Sequence, residues 1–171
     1  LHAAHMIIGI GLMAVLFVMA FKGRFTRVYH TPVEISGRTP ADALVRVNHL
    51  IQSDSASDLF VTMLYAQWDA RMGRITFSNA GHNPPLLCSN GEVTICHSRG
   101  MALGVMPQVV VDSNEIMLGP GDVLLLYTDG VSEAFNPQDE CYGTDRLLAD
   151  SGLFAGQSPA AITAELLNRT H

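Results

Sequence analysis

Between residues 59 and 127 the chain is cut into short runs of β-branched, aromatic and aliphatic residues by tight-turn residues, and this limits what it can fold into. Residues 59–69 and 74–78 flank a turn at 69–73, which reads as a hairpin. Residues 85–88 and 92–96 flank Asn90-Gly91, the strongest short hairpin signal, because both turn residues tolerate positive φ. Residues 109–111 and 115–118 read as further short strands. Gly119-Pro120-Gly121-Asp122 forms a turn, and residues 123–127 then make a near-continuous apolar strand, expected to be buried on both faces. Two-residue turns join antiparallel neighbours. A largely antiparallel sheet follows.

Helical signals sit on either side of this block. Thr39-Pro40-Ala41-Asp42 has an N-cap, a proline at the first helical position and an acid placed to reach back as in a capping box. Leu44, Val47 and Ile51 then recur at helical spacing. Later helices are expected over 144–150 and after Ser158-Pro159. Helices flanking about six strands make the chain α+β.

The first segment is unlike the rest. No Asp, Glu, Lys or Arg precedes Lys22, and residues 6–21 are apolar except for Gly9 and Gly11. As a helix these sixteen residues would span about 24 Å, against about 30 Å of bilayer hydrocarbon. Lys22, Arg24 and Arg27 follow the run instead of preceding it, which is the wrong polarity for a signal peptide. Two readings stand: a core helix buried on several sides, or a short membrane segment with basic residues on its cytoplasmic side.

Composition removes several function classes. A length of 171 residues fits one domain, and 48% apolar against 15% charged residues excludes intrinsic disorder. The net charge of −6 argues against a generic nucleic-acid binder. Three Cys without a CxxC pair make neither a disulfide scaffold nor a zinc module, so a cytoplasmic setting is expected.

The most informative chemistry is Tyr127-Thr128-Asp129-Gly130-Val131. An apolar strand runs into a carboxylate, and glycine follows where the backbone turns sharply or approaches something closely. An ionised Asp at the mouth of a core is costly unless hydrogen-bonded, paired or coordinated. Asp-Gly also closes ordinary turns.

Four ordered blocks carry a resemblance. They are Phe60-Val61-Thr62-Met63-Leu64-Tyr65, then Asn79-Ala80-Gly81-His82-Asn83-Pro84-Pro85, then the run from Gly119 through Thr128-Asp129-Gly130 to Ala134, and Gly143 with Asp145-Arg146-Leu147. Pro40, Leu44 and Asn48 add a Pro-x-x-x-Leu-x-x-x-Asn helix. Together they resemble the bacterial SpoIIE-type, RsbU-like branch of the metal-dependent type 2C Ser/Thr protein phosphatases, over about residues 39–150. The resemblance implies a four-layer α-β-β-α sandwich of two mainly antiparallel sheets. It also implies two Mn²⁺ or Mg²⁺ ions held by carboxylates, and a metal-activated water that hydrolyses phosphoserine or phosphothreonine. Hard cations and oxygen ligands suit such chemistry.

Asp129 matches the family's metal ligand, and Thr128, Gly130, Gly81, His82 and Asn79 are the implied lining of the site. His82 is read either as touching phosphate or an outer water, or as bonding its own turn; for Asn79 the turn is preferred. The family's first and last ligand motifs find no match. The chain is therefore expected to be one phosphatase domain over residues 1–171, truncated at both ends, with the fragment alone inactive. Implied partners are a phosphorylated STAS-type anti-sigma-factor antagonist and an upstream sensor domain. The competing functions are a degenerate phosphatase-fold binding module and an inner-membrane-anchored regulator using residues 6–21.

Overall fold

The computed structural model describes residues 15–19, 39–53, 60–69 and 71–169. They fall into two compact units, one taken from residues up to 82 together with 98–117, the other from 83–97 together with 118–169.

In the first unit Thr39 caps helix α1 (Pro40–Ser53). Its hydroxyl oxygen accepts the Asp42 amide at 3.2 Å, while the Asp42 carboxylate accepts the Thr39 amide at 3.2 Å and hydroxyl at 2.7 Å. This is the expected capping box, and it satisfies amides that the first turn leaves without intrahelical partners. The helix buries Pro40, Ala43, Leu44 and Asn48, which share one stripe at spacings of three and four. That stripe packs on strands β2 (Thr62–Asp69) and β3 (Arg74–Ala80).

β2 and β3 form a hairpin registered from Met63↔Ala80 to Asp69↔Arg74. Asp69 holds its turn, its carboxylate accepting the amides of Arg71 at 3.0 Å and Met72 at 3.3 Å. Strand β1 (Val15–Met19) pairs with the outer side of β2, and β6 (Asn114–Met117) with that of β3. The sheet order is β1-β2-β3-β6, antiparallel throughout. Met63, Tyr65 and Ala80 meet Ala43 and Leu44 on one face, with Leu103, Val109 and Val111 completing the cluster. Leu64, Ile75, Phe77 and Ile116 are buried on the other. Each such side chain is worth about 1.5–3 kcal/mol relative to exposure.

The second unit holds a three-stranded antiparallel sheet ordered β5-β4-β7, from β4 (Leu86–Ser89), β5 (Glu92–Ile95) and β7 (Val123–Leu125). Asn90 and Gly91 join β4 to β5 with φ of 51° and 81°, as their hairpin signal requires. This register sets Cys88 opposite Val93, so the three cysteines remain free thiols. Burial pushes the Cys88 and Cys96 thiols up from their usual range. Helices α2 (Asp129–Ser132), α3 (Thr144–Ser151) and α4 (Pro159–Arg169) follow. Ser158 caps α4 by accepting the Ala161 amide at 3.3 Å. Leu86, Leu125, Tyr127, Tyr142, Leu147, Phe154 and Ile162 form the core of this unit.

Several expectations need correction. Within the apolar run 6–21, Val15–Met19 is a strand, registered from Val15↔Ala66 to Met19↔Thr62. No core helix or membrane helix therefore runs the length of that segment, and its other residues lie outside the described ones. A run apolar on every side has no period to separate helix from strand. Among the described residues no helix is long and apolar enough to cross a membrane. Residues 109–111 form no strand: Val109 and Val111 are buried and Val110 exposed, yet no neighbour among the described residues completes a ladder. Of the run 123–127, only three residues make a strand, at the end of its sheet, and only Leu125 and Tyr127 are buried.

α3 and α4 are joined through Asp150, whose carboxylate accepts the Tyr142 hydroxyl at 2.5 Å and pairs with Arg169 at 2.7 Å. Burial and the Asp150 carboxylate push the Tyr142 hydroxyl well above its usual range. The unfolded chain loses this proton near its ordinary value of about 10, whereas the folded chain keeps it. Unfolding free energy should therefore fall as pH rises above about 10, and Tyr142→Phe should flatten that slope in urea titrations between about pH 9 and 11. Removing the capping box by Thr39→Ala should lower stability by about 0.5–2 kcal/mol, read by chemical denaturation.

Candidate functional site

The residues singled out from sequence stand in two groups, one in each unit. Asn79, Gly81 and His82 form the turn that ends β3. Thr128, Asp129 and Gly130 form the start of α2.

The turn at 79–82 is built by Asn79. Its side chain is almost fully buried; Nδ2 donates to the His82 carbonyl at 2.8 Å, and Oδ1 accepts the His82 amide at 2.7 Å. A side-chain amide thus supplies both halves of a backbone-like pair across three residues. Gly81 sits at φ +72°, and a Cβ there would lie 2.8 Å from the Ala102 nitrogen. The position requires glycine for conformation and for space. Gly100 is tighter still, since a Cβ there would fall 2.0 Å from the Asn79 carbonyl oxygen. The half-buried His82 ring meets the Thr62 hydroxyl, with Nδ1 3.3 Å from Oγ1. His82 is thus tied to its turn through its backbone and to β2 through its ring.

Thr62, Gly100 and Ala102 belong to this arrangement and were not separable from their neighbours by sequence. Thr62 lies inside an ordinary strand pattern, and nothing in Arg99-Gly100-Met101 marks a close backbone approach.

Asp129 lies in the first turn of α2, after Thr128 in extended backbone at φ −113° and ψ 163°. The expected sharp Asp-Gly turn is instead helical. The Glu133 amide donates to the Asp129 carbonyl at 2.7 Å, and the Ser132 hydroxyl donates to it at 3.2 Å. Gly130 is not at positive φ, and a Cβ there would meet only Thr128 Oγ1, at 3.4 Å. Neither a sharp turn nor a close approach within the described residues calls for glycine at this position. The Glu133 backbone secures the end of the short helix, and its side chain is exposed.

The Asp129 carboxylate is half-buried and receives no hydrogen bond or ion pair from another described residue. Asp122, immediately before β7, shows the contrast. The Ser89 hydroxyl and the Gly119 amide hold its carboxyl below the usual range. A carboxylate left open in this way suits a cation ligand. Yet among the described residues no three His, Cys, Asp or Glu side chains gather to hold a metal ion. One carboxylate cannot hold two hard cations, which need several oxygen ligands each. The described residues on their own therefore do not fit a binuclear centre.

Comparison with known proteins places this geometry in a family. The model of the family described as Stage II sporulation protein E (SpoIIE) matches residues 7–171. Protein IcfG of Synechocystis sp. is 35% identical over 91 residues, covering 53% of this chain and 14% of that protein. Phosphoserine phosphatase RsbU of Bacillus subtilis is 26% identical over 129 residues, covering 74% of this chain and 37% of that protein. The chain thus spans well under half the length of these curated relatives. Among solved structures, the SiaA-PP2C domain of Pseudomonas aeruginosa superimposes with a TM-score of 0.67 at 21% identity, covering 80% of this chain and 55% of that one. The shared architecture is α+β with antiparallel sheets. With the family model matching nearly its whole length, the chain belongs to the SpoIIE family.

Proposed function

We propose that this chain is part of a single phosphatase domain, and that the whole protein hydrolyses phosphoserine or phosphothreonine on a regulatory protein. The observation that carries the reading is the family match over residues 7–171, supported by a curated relative named as a phosphoserine phosphatase. The expected substrate is a phosphorylated STAS-type anti-sigma-factor antagonist, and an upstream sensor domain is the expected source of control. Free thiols at Cys88, Cys96 and Cys141 support a cytoplasmic site of action.

Phosphatases of this PP2C type are metal-dependent. We assign Asp129 as one oxygen ligand to Mn²⁺ or Mg²⁺ in the complete domain, since its carboxylate is open and carries the charge a hard cation prefers. Among the described residues no further His, Cys, Asp or Glu side chains gather with it into a group of three. Thr128 and Gly130 set the backbone on either side of that carboxylate. The turn of Asn79, Gly81 and His82 is assigned, as the resemblance implies, to active-site lining, with His82 as an outer group and Asn79 holding it.

Full-length Asp129→Asn should lose Mn²⁺-dependent phosphate release from a phosphoserine protein by orders of magnitude, with its circular dichroism unchanged. Wild-type turnover in that variant would remove Asp129 from the site. His82→Ala should cost about 10–100-fold, as outer groups at metal sites do. The isolated 171-residue chain should release no phosphate, because among the described residues Asp129 is the one carboxylate assigned to the centre, too few to hold two cations. Tight binding of the phosphoprotein by the full-length protein without any hydrolysis would favour the degenerate binding module instead.

A further inference from the structure

Asn48 is the most fully satisfied buried polar side chain of the first unit, and nothing in the proposed chemistry uses it. It is 1% exposed on the inner stripe of α1. Its Oδ1 accepts the Gly104 amide at 2.8 Å, and its Nδ2 donates to the carbonyls of Met106 at 3.0 Å and Pro107 at 3.2 Å. One turn later Gln52 Nε2 donates to the Gly104 carbonyl at 2.5 Å. Two amides on one helix thereby hold a loop that has no secondary structure of its own. The same loop exposes Val105 and Met106, so apolar burial does not fix it.

That loop is preceded by residues 100–103, which pack against the turn at 79–82. Leu103 exchanges both backbone bonds with Val61, at 2.8 and 2.9 Å, and Val61 adjoins Thr62, whose hydroxyl meets the His82 ring. Ala102 packs so closely on Gly81 that no side chain fits between them, and Gly100 packs likewise on the Asn79 carbonyl. From Asn48 to His82 every link is a hydrogen bond, a peptide bond or a backbone contact without slack.

We propose that Asn48 is a positioning residue for His82, acting through residues 100–107 and Val61-Thr62 to fix where the turn and its imidazole stand. The proposal rests on the reading of that turn as part of the phosphatase site. Losing the three bonds of Asn48 frees the 104–107 loop, and the Leu103–Val61 pair and the Gly81 contact loosen with it. Residues joined in one network of this kind couple, whereas independent ones add.

Two measurements on the full-length protein test it. The first is hydrogen exchange. Asn48→Ala should speed exchange of the amides at 80–82 and 102–104 by about tenfold, while β3 amides at 75–77 change little; a coupling of that size is ordinary within one network. Uniform acceleration, or none at 80–82, would overturn the proposal. The second is a double-mutant cycle on phosphate release. Asn48→Ala should lower kcat by about tenfold when His82 is present and less than about twofold in His82→Ala, with KM little changed. Equal losses in both backgrounds would mean that Asn48 only supports the fold. Should Asn48→Ala fail to fold, Gln52→Ala removes one bond to the same loop and should show the same pattern at smaller amplitude. A wild-type protein without phosphatase activity would sink the functional reading alone, since the exchange measurement decides the positioning independently.

Discussion

The β2–β3 hairpin is the constraint on which the first unit depends. Its register is held at one end by Asp69, which gathers two turn amides, and at the other by Asn79, which closes the exit turn. A shift of one residue would carry every side chain to the opposite face. Met63 and Tyr65 would leave the helix, and Leu64 and Phe77 would replace them. The position of Gly81 and His82 follows from the same register, because they are the next residues after the last paired one. Placement of this part of the site is thus a by-product of sheet pairing.

Polar side chains inside this unit divide sharply. Asn48 and Asn79 are buried and use their amides in both directions, as donor and acceptor. Ser78, next to Asn79 in β3, is fully buried with a hydroxyl that meets no partner among the described residues. A lone hydroxyl costs about 1–3 kcal/mol in such a setting, whereas a paired amide returns its desolvation. The two asparagines therefore define backbone geometry at modest cost, and each does so at a segment without regular structure.

What the sequence made legible was chemistry that acts over a few residues. Thr39 with Asp42, Asn90 with Gly91, and Ser158 with Pro159 each announce a geometry through their own side chains or φ preferences, and each is found. The two-residue Asn90-Gly91 turn fixes the register that sets Cys88 opposite Val93. Readings failed where the outcome depended on a distant neighbour. Residues 15–19 became a strand because β2 offered an edge, while Val109 and Val111 alternate like a strand but have no ladder. Asp129 was legible as a site residue through motif resemblance, but its helical setting was not, since Asp-Gly suits turns as well. The service that Gly100 gives to Asn79 leaves no mark on the chain at all.

The strands at the ends of the described sheets have a further consequence for the molecule in a crowded solution. β5 and β6 are four residues long and carry exposed Glu92 and Glu115 where unpaired backbone groups would otherwise invite another chain, whereas the end strands β1 and β7 carry no charge. Short edges bearing charge are poor templates for strand addition, because an incoming strand gains few bonds and must desolvate a carboxylate. In a chain with 48% apolar residues, these two glutamates guard one rim of each described sheet.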